Sequence, residues 1–322
     1  MKSPQNIAVI AGGNSAEREV SLNSAKLVLE HLDKERYNVR LLEMNGNRFY
    51  HAESGNYIDL NDFSLRVEDK KEFFDFAFII IHGTPAEDGK LQGYFDWMGI
   101  PYSTADVLCS SLTFNKNYCK IFLENFDIPM ARSIVVQKGN FPSDRQLNEL
   151  DNTLFIKPNN NGSSVAVTKV TRRDDIKAAL DKVFEIDSEA IVESYLEGVE
   201  FSASILKLGK EYIRFPITEI RPTNEFFDYE AKYLGASEEI TPARISEREE
   251  KDCLDLSEKI YRILGCEGIC RFDFIQSNGV FYFLEVNTIP GMSEVSMVPQ
   301  QAIAKGWSIS ELLDKIIESK RG

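Results

Sequence analysis

The sequence has 322 residues, 43% of them hydrophobic, and its 37 basic and 51 acidic side chains give a net charge of −14. At roughly 100–200 residues per domain, this length predicts two or three domains with ordinary hydrophobic cores. The acidic balance, with no basic stripe, argues against a nucleic-acid partner, whereas a small anion needs only a few lysines and backbone amides.

Neither a membrane segment nor a disulfide framework is expected. The most apolar run, residues 73–81, is too short to cross a bilayer and contains Asp75. The N-terminal residues carry one positive charge and no cleavage-site pattern, so they do not resemble a signal peptide. The five cysteines lack paired spacing, which argues against structural disulfides or a zinc site. We therefore expect reduced thiols and a cytoplasmic location.

The first third of the chain alternates predicted strands and helices. Residues 7–11 form an apolar strand, and a Gly-Gly-Asn-Ser turn leads into apolar residues at helical spacing over 16–32. Further strands are predicted at 39–44 and 76–81, and a further helix at 90–98. Because such apolar strands are buried on both faces, we predict a doubly wound α/β unit with a parallel sheet covered by helices.

The rest of the chain is predicted to form a small α+β unit and a larger one. In the small unit we expect two helices and four antiparallel strands, at 115–126 and 174–184, and at 133–136, 154–157, 165–167 and 190–193. In the larger unit we expect two helices and four strands, at 249–264 and 310–319, and at 201–208, 212–220, 268–276 and 280–287. The predicted domains are 1–104, 105–193 and 194–322.

A strand, a small polar loop and the start of a second strand follow one another over residues 155–165. Gly162 would let the backbone approach a phosphate, neighbouring N–H groups could cradle it, and Lys157 adds a positive charge. A plain hairpin loop explains the same residues equally well. The loop is not a Walker motif, because no Gly-Lys-Ser/Thr sequence opens a helix here.

The strongest local signal is a pair of strands joined by a short turn. Their alternation places Arg271 and Asp273 on one face of the first strand, and Glu285 and Asn287 on one face of the second. Two carboxylates and an amide oxygen form the hard oxygen site that Mg²⁺ requires when it binds nucleotide phosphates. Half-exposed strands would show the same alternation, but their other faces are already apolar.

A single metal site requires Asp273 and Glu285 to face the same side of the sheet. A two-residue turn at Asn278 and Gly279 would pair Asp273 with Leu284 and direct the two carboxylates to opposite faces. We therefore predict an odd-numbered loop of three residues, with Gly279 as a bulge glycine in the left-handed conformation.

Two further candidate residues follow strands of the N-terminal unit. Glu17 lies in the first turn of the helix at 16–32, where it could complement the helix dipole or receive a substrate ammonium group. His82 lies at the carboxyl end of the third strand, the edge at which open α/β sheets bind their ligands. A lone histidine is more often structural.

Together and in this order, five segments resemble the D-alanine–D-alanine ligase family of the ATP-grasp superfamily. They are residues 15–21, 82–89, 157–164, 228–233 and 285–292. Each is weak alone, but five in register over nearly the whole chain are specific. The resemblance implies an ATP-grasp fold: an N-terminal parallel-sheet domain that binds substrate, a small central lid domain and a C-terminal mixed-sheet catalytic domain, with ATP between the last two.

The resemblance also implies the roles of individual residues. ATP would be bound by Lys116, Lys157, Glu193, Leu196, Glu200 and Lys232. Two Mg²⁺ ions, which Mn²⁺ could replace, would be held by Asp273, Glu285 and Asn287. D-alanine would be bound by Glu17, His82, Arg271, Gly291 and Ser296. Catalysis would further use a hydrogen-bonded bridge that closes a loop over 221–245, formed by Glu17, Ser163 and Tyr233, while Arg271 and the Gly291 N–H would stabilise the oxyanion.

The implied reaction joins two D-alanine molecules for peptidoglycan precursor synthesis. ATP would phosphorylate the first carboxylate, and the amine of the second D-alanine would attack the acyl phosphate, releasing ADP and phosphate. Metal ions, Arg271 and backbone amides would stabilise the negative charge that develops in both steps. The loop over 221–245 would exclude water. The family also implies a homodimer, for which the sequence shows no interface.

Three alternatives remain open at this point: a D-alanine–D-lactate ligase, another ATP-grasp ligase and an inactive nucleotide-binding homologue. Depsipeptide-forming members usually lack a Lys-Tyr pair such as Lys232-Tyr233, and residues 15–21 argue against another ATP-grasp ligase. An inactive homologue would be expected to lose a metal ligand or Arg271. Departures from commoner family versions occur at four places, which are 84–86, 159–161, Cys270 and 294–295.

Overall fold

The computed structural model describes residues 4–15, 17–160, 162, 165–222 and 237–320. Within these residues, helices pack around four sheets. One sheet is mainly parallel, two are larger antiparallel sheets and one is a small antiparallel sheet. No helix in this part of the chain is long and apolar enough to cross a membrane.

The N-terminal unit contains a four-stranded sheet and a separate three-stranded one. Its elements are β1 (Gln5–Gly12), α1 (Arg18–His31), β2 (Tyr37–Asn45), β3 (Arg48–His51), β4 (Ile58–Asp59), β5 (Ser64–Val67), β6 (Lys70–Glu72), β7 (Phe76–Ile79) and α2 (Lys90–Met98). β1 pairs in parallel with β2 and β7, and β3 adds to β2 antiparallel. The predicted parallel sheet is therefore confirmed. β4–β6 form the small sheet, and these strands of two to four residues are too short to leave a recognisable alternation.

Two short helices connect this unit to the central sheet, α3 (Val107–Phe114) and α4 (Lys116–Leu123). The central sheet and its helices consist of β8 (Ser133–Gln137), α5 (Asp144–Asn148), β9 (Leu154–Pro158), β10 (Thr168–Val170), α6 (Ile176–Val183) and β11 (Glu189–Ser194). The strand order is β10-β9-β11-β8, all antiparallel. The strand expected at 165–167 was wrong, because Ala166 has a φ of +56° and the strand begins only at Thr168.

The C-terminal sheet has six strands. Its elements are β12 (Val199–Leu208), β13 (Glu211–Arg214), β14 (Thr218–Pro222), β15 (Ser237–Ile240), α7 (Glu247–Ile263), β16 (Ile269–Ser277), β17 (Val280–Asn287), α8 (Met297–Ala304) and α9 (Ile309–Ser319). The strand order is β15-β14-β12-β16-β17, and β13 pairs with the C-terminal half of β12. The single strand expected over 212–220 is two strands, because Pro216 has no N–H to continue the ladder.

The N-terminal and C-terminal units share one hydrophobic core. Ile7 and Val9 of β1 belong to the same buried cluster as Leu206 of β12 and Leu312 of α9. Because buried side chains are close-packed, this shared cluster fixes one face of the N-terminal sheet against the C-terminal unit. The domain boundaries at 104 and 193 stay a prediction.

Candidate active site

The hairpin of β16 and β17 places the predicted metal ligands on one face by an unexpected route. Its turn has two residues, Asn278 and Gly279, with φ angles of +50° and +78°. Both residues are left-handed, which is the geometry of the tight hairpin turn that Asn-Gly favours. The predicted three-residue loop was therefore wrong.

A register shift inside the hairpin corrects for this short turn. Phe274 pairs with Phe283, but the next pair is Asp273 with Glu285, so Leu284 is an extra residue on β17. The bulge reverses the side-chain alternation once, and Asp273 lies directly opposite Glu285. The expectation that these two carboxylates share a face is confirmed.

Asp273 is the centre of a buried hydrogen-bond cluster and is itself only 5% exposed. Arg271 donates to both of its oxygens, from Nε at 3.0 Å and from Nη2 at 2.9 Å. Asn287 Nδ2 donates at 3.0 Å and Ser202 Oγ at 2.7 Å. Such charge-assisted bonds fix the orientation of a carboxylate before any ligand binds. Sequence reasoning missed Ser202, whose signal was only its position on the predicted strand 201–208.

A second cluster, on the central sheet, contains one carboxylate between two lysines. Glu193 accepts from Lys157 Nζ at 2.6 Å and from Lys120 Nζ at 2.5 Å. Burial alone would raise the pKa of Glu193, but the two ammonium groups outweigh it and lower that pKa to about 2. Burial likewise opposes the charge of Lys157, yet Glu193 raises its pKa overall. Lys120 was missed, although it lies one helical turn after Lys116.

The two clusters meet across the boundary between the sheets. Lys116 Nζ, on α4, lies 3.4 Å from Glu285 Oε2. The charges of Glu285 and Glu200 both help to raise the pKa of Lys157. The structure thus brings together five of the residues predicted to bind ATP or metal, while Leu196 lies in the connection between β11 and β12.

The loop after β9 is docked onto the start of α4 by Asn159. The Lys116 N–H donates to the Asn159 carbonyl at 3.1 Å, and the Asn117 N–H donates to Asn159 Oδ1 at 2.9 Å. Asn159 Nδ2 in turn donates to Glu189 Oε2 at 2.6 Å, and the side chain is 1% exposed. Asn159 therefore holds the candidate phosphate loop beside Lys116, a role that sequence reasoning also missed.

All five residues predicted to bind D-alanine line one cavity of about 120 Å³. They are Glu17, His82, Arg271, Gly291 and Ser296. The cavity lies where α1 and the end of β7 meet the segment after β17, and Asn287 also reaches it. It is therefore continuous with the Asp273 cluster.

A tight turn before α8 shapes the end of the cavity that Gly291 and Ser296 line. A Cβ atom added to Gly291 would lie 2.8 Å from Ser296 Oγ, so only glycine fits there without displacing that hydroxyl. Ser296 Oγ also accepts from the Ser293 N–H at 3.0 Å. The Met292 N–H donates to Ser24 Oγ of α1 at 3.1 Å, which attaches the turn to the N-terminal unit.

Glu17 immediately precedes α1 and is 9% exposed. Its carboxylate makes no capping hydrogen bond to that helix, and both the ligand and the helix-dipole alternatives stay predictions. Ser15 Oγ donates to the His82 carbonyl at 3.0 Å and accepts from the Glu17 N–H at 3.2 Å, so the two N-terminal segments meet. A Cβ added to Gly162 would lie 3.8 Å from Glu17 Oε2, so the candidate phosphate loop reaches the same place.

Three predicted site residues, Ser163, Lys232 and Tyr233, lie outside the described residues. The hydrogen-bonded bridge and the lysine contact from the loop therefore stay predictions. Among the described residues, no cluster of three or more His, Cys, Asp or Glu side chains could hold a metal ion. The predicted ligands are two carboxylates and one amide, a set that such a cluster would not include.

Comparison with known proteins gives the family. Residues 6–105 match the family model "D-ala D-ala ligase N-terminus" and residues 122–318 match "D-ala D-ala ligase C-terminus". The chain is 46% identical to a D-alanine–D-alanine ligase of Phocaeicola vulgatus, covering 98% of this chain and 99% of the relative. A relative of the same name from Bacteroides fragilis is 44% identical over the same shares.

Solved structures agree with these relatives. The D-alanine–D-alanine ligase of Bacillus anthracis is 34% identical, covers 98% of this chain and 97% of that chain, and has a TM-score of 0.83. The VanG D-Ala:D-Ser ligase of Enterococcus faecalis is 32% identical, covers 98% and 99%, and has a TM-score of 0.87. The expected ATP-grasp architecture is thereby confirmed, and the chain belongs to the D-alanine–D-alanine ligase family.

Proposed function

We propose that this protein joins two D-alanine molecules into D-alanyl-D-alanine, with hydrolysis of ATP to ADP and phosphate, for peptidoglycan precursor synthesis. One observation carries the proposal: all five predicted D-alanine contacts line one cavity, and that cavity is continuous with the Asp273 cluster. The family membership reported above and an ATP complex of a Bacillus anthracis relative support ATP as the cosubstrate.

The lysines on either side of the sheet boundary are placed to bind phosphates. Lys116 and Lys157 both lie among carboxylates, so a polyanion that reached them would compete with Glu285 and Glu193 for the same ammonium groups. Two further residues, Leu196 and Glu200, would line the adenosine pocket. The loop fixed by Asn159 would supply backbone N–H groups, as phosphate-binding loops do.

We further propose that Asp273, Glu285 and Asn287 hold Mg²⁺. The donor set fits, because two carboxylates and an amide oxygen are hard ligands and the bulge brings the carboxylates to one face. Arg271 and Asn287 both donate hydrogen bonds to the Asp273 carboxylate. Binding of a cation would require these hydrogen bonds to rearrange. When bound, the metal would neutralise phosphate charge and polarise the transferred phosphoryl group.

Different side chains of the cavity would bind the two D-alanine molecules. Glu17 would bind the ammonium of the first, whose carboxylate becomes an acyl phosphate. Ser296 and Arg271 would bind the carboxylate of the second, whose free amine attacks the acyl carbon and displaces phosphate. Arg271 and the Gly291 N–H would stabilise the tetrahedral oxyanion, the group whose charge changes most in this step.

The test is release of ADP from Mg-ATP with D-alanine, compared with L-alanine, D-serine and D-lactate, and identification of each product by mass. We expect D-alanine-dependent release of ADP and formation of the dipeptide. D-serine is included because one of the similar structures is a D-Ala:D-Ser ligase. ATP binding without turnover on D-alanine would reject the proposed reaction. The homodimer and the cytoplasmic location stay predictions.

A further inference from the structure

Glu239 lies on β15, at the edge of the C-terminal sheet, and has no role in the site as described so far. It pairs with Ile220 of β14, which in turn pairs with Glu200 of β12. Residues directly opposite one another on neighbouring strands project from the same face of a sheet. Glu200 and Ser202 are two residues apart on β12, and Ser202 pairs with Asp273. Glu239 therefore lies on the face that carries Asp273.

A contact between neighbouring side chains confirms this orientation. The hydroxyl groups of Thr218 and Thr241 are hydrogen-bonded at 2.7 Å, which extends the row of side chains through Asp273 and Ser202 to the residue that follows β15. Glu239 is two residues before Thr241 and belongs to the next row of side chains on the same face, with Ile220 and Glu200. Accordingly, it lines the cavity of about 120 Å³ together with the five predicted D-alanine contacts.

The charges that line this cavity show what Glu239 could bind. Among its described lining residues are three glutamates, Glu17, Glu87 and Glu239, and one guanidinium, that of Arg271. Glu17 and Glu87 come from the N-terminal unit, and Glu87 Oε2 accepts the Gly83 N–H at 2.8 Å. Within the described lining, Glu239 is the carboxylate that the C-terminal sheet contributes.

One charged group of the two substrates has no protein partner in the proposed assignment. Two D-alanine molecules bring two ammonium groups and two carboxylates, and the proposed function assigns only the first ammonium, to Glu17. The carboxylate of the second molecule is assigned to Arg271 and Ser296 of the C-terminal unit. An amino acid held by both of its charged groups needs an anion on the same side of the cavity, and charge-assisted pairs provide both affinity and orientation.

We propose that Glu239 binds the ammonium group of the second D-alanine as it enters, before this group loses a proton to solvent and attacks as the free amine, and thereby selects an amine over a hydroxyl acceptor. The inference rests on the proposed function. A hydroxy acid such as D-lactate has the same carboxylate but no positive charge, so it gains nothing from Glu239. Selectivity is a difference between two affinities, and a carboxylate at this position raises only one of them.

The test compares Glu239→Gln with Glu238→Gln. Glu238 is the adjacent residue on β15, is exposed, pairs with Arg221 and is not among the residues that line the cavity. Glu239 is exposed as well, so for Glu239→Gln we expect the KM for the acceptor D-alanine to rise only about threefold, as for loss of an ion pair in contact with solvent. We also expect the ratio of dipeptide to D-alanyl-D-lactate, formed in competition and measured by mass, to fall by a similar factor. The KM for ATP should stay unchanged, and Glu238→Gln should match the unmodified protein in all three.

The outcomes separate this inference from the proposed function. If the unmodified protein releases no ADP with D-alanine, the proposed function fails before any variant is compared. If it is active and Glu239→Gln keeps both the acceptor KM and the product ratio, the inference alone is overturned. If Glu239→Gln loses all activity, Glu239→Asp decides, because it keeps the charge. Recovery of the dipeptide with its selectivity would support the inference, and equal loss with both acceptors would contradict it.

Discussion

The central sheet and the two units around it are held together by different kinds of contact. The N-terminal and C-terminal units share one apolar core, which contains Val9 of β1 and Leu206 of β12. The central sheet has a core of its own, drawn from residues 134–192. It meets α4 through hydrogen bonds and ion pairs, such as those of Asn159 and Lys120.

This difference matters for the order of events in the proposed reaction. A shared close-packed core keeps the D-alanine cavity in a constant shape. Hydrogen bonds at a sheet boundary can be exchanged for bonds to water, which makes them the contacts that open at lower cost. We therefore expect the central sheet to change its position when ATP binds, while the walls of the cavity from the other two units stay in place.

The largest expected effect is that of Glu285→Ala, which removes a proposed metal ligand from the C-terminal unit. We expect kcat to fall roughly 10³-fold, because an electrostatic contact to the developing charge is lost. Glu285 is partly exposed, so the fold should persist. ADP release over a range of magnesium concentrations measures the effect, and exposed Glu247→Ala on α7 is the control. Retained turnover with normal magnesium dependence would refute the role of Glu285.

Glu193→Gln tests the ion pairs at the sheet boundary. Removing this carboxylate leaves the buried ammonium groups of Lys157 and Lys120 without their shared counter-charge. We expect a loss of about 3 kcal/mol in the free energy of unfolding, as for other broken buried pairs. Chemical denaturation measures it, and Glu197→Gln at an exposed neighbouring position should have little effect. An unchanged midpoint would mean that the cluster does not stabilise the boundary.

The same carboxylate gives the boundary a pH dependence. The pKa of Glu193 falls from its ordinary value of 4.5 to about 2 in the folded protein. Its contribution to stability is therefore fully present above about pH 4.5 and is lost as the pH falls towards 2. Below pH 4.5, the unmodified protein should lose stability more steeply than Glu193→Gln. Parallel slopes for the two proteins would contradict the assignment.

Asn159→Ala is expected to act on ATP rather than on D-alanine. It removes hydrogen bonds to Asn117 and Glu189 that hold the loop after β9 beside Lys116. We expect the KM for ATP to rise about tenfold, since about 1.4 kcal/mol of positioning is lost, while the KM for D-alanine changes little. Exposed Asn125→Ala, which only affects the end of α4, is the control. Equal changes in both KM values would indicate general damage instead.

Sequence analysis could predict the parts of this site that depend on short-range patterns. It predicted α2 and β17 with the bounds observed, because apolar periodicity decides them. It also placed Asp273 and Glu285 on one face of the sheet, but it assigned the extra residue to the turn and not to Leu284. Both positions give the same alternation, and only the packed strands decide between them.

Sequence analysis missed Lys120, Asn159 and Ser202 for the same physical reason. Lys120 and Asn159 act through partners 73 and 30 residues away, and Ser202 through one 71 residues away. Their own neighbours in sequence form ordinary helix and strand patterns, so nothing local distinguishes them. The family resemblance named the residues expected to touch substrate or metal, whereas the side chains that position those residues became visible only in the folded chain.

The smallest effect is expected from Ser202→Ala. Ser202 Oγ donates to Asp273 Oδ1 at 2.7 Å from a fully buried position, so it orients a proposed metal ligand without touching the metal. Loss of one such bond should cost about 1 kcal/mol, and the magnesium concentration for half-maximal activity should rise about threefold to tenfold. Ser204→Ala is a matched control, since Ser204 lies two residues along the same strand and its buried hydroxyl has no hydrogen-bond partner among the described residues. If both variants shift the magnesium dependence equally, the strand and not the Ser202 hydroxyl is responsible. A shift in Ser202→Ala alone would mean that the Ser202 hydroxyl orients Asp273 for the metal.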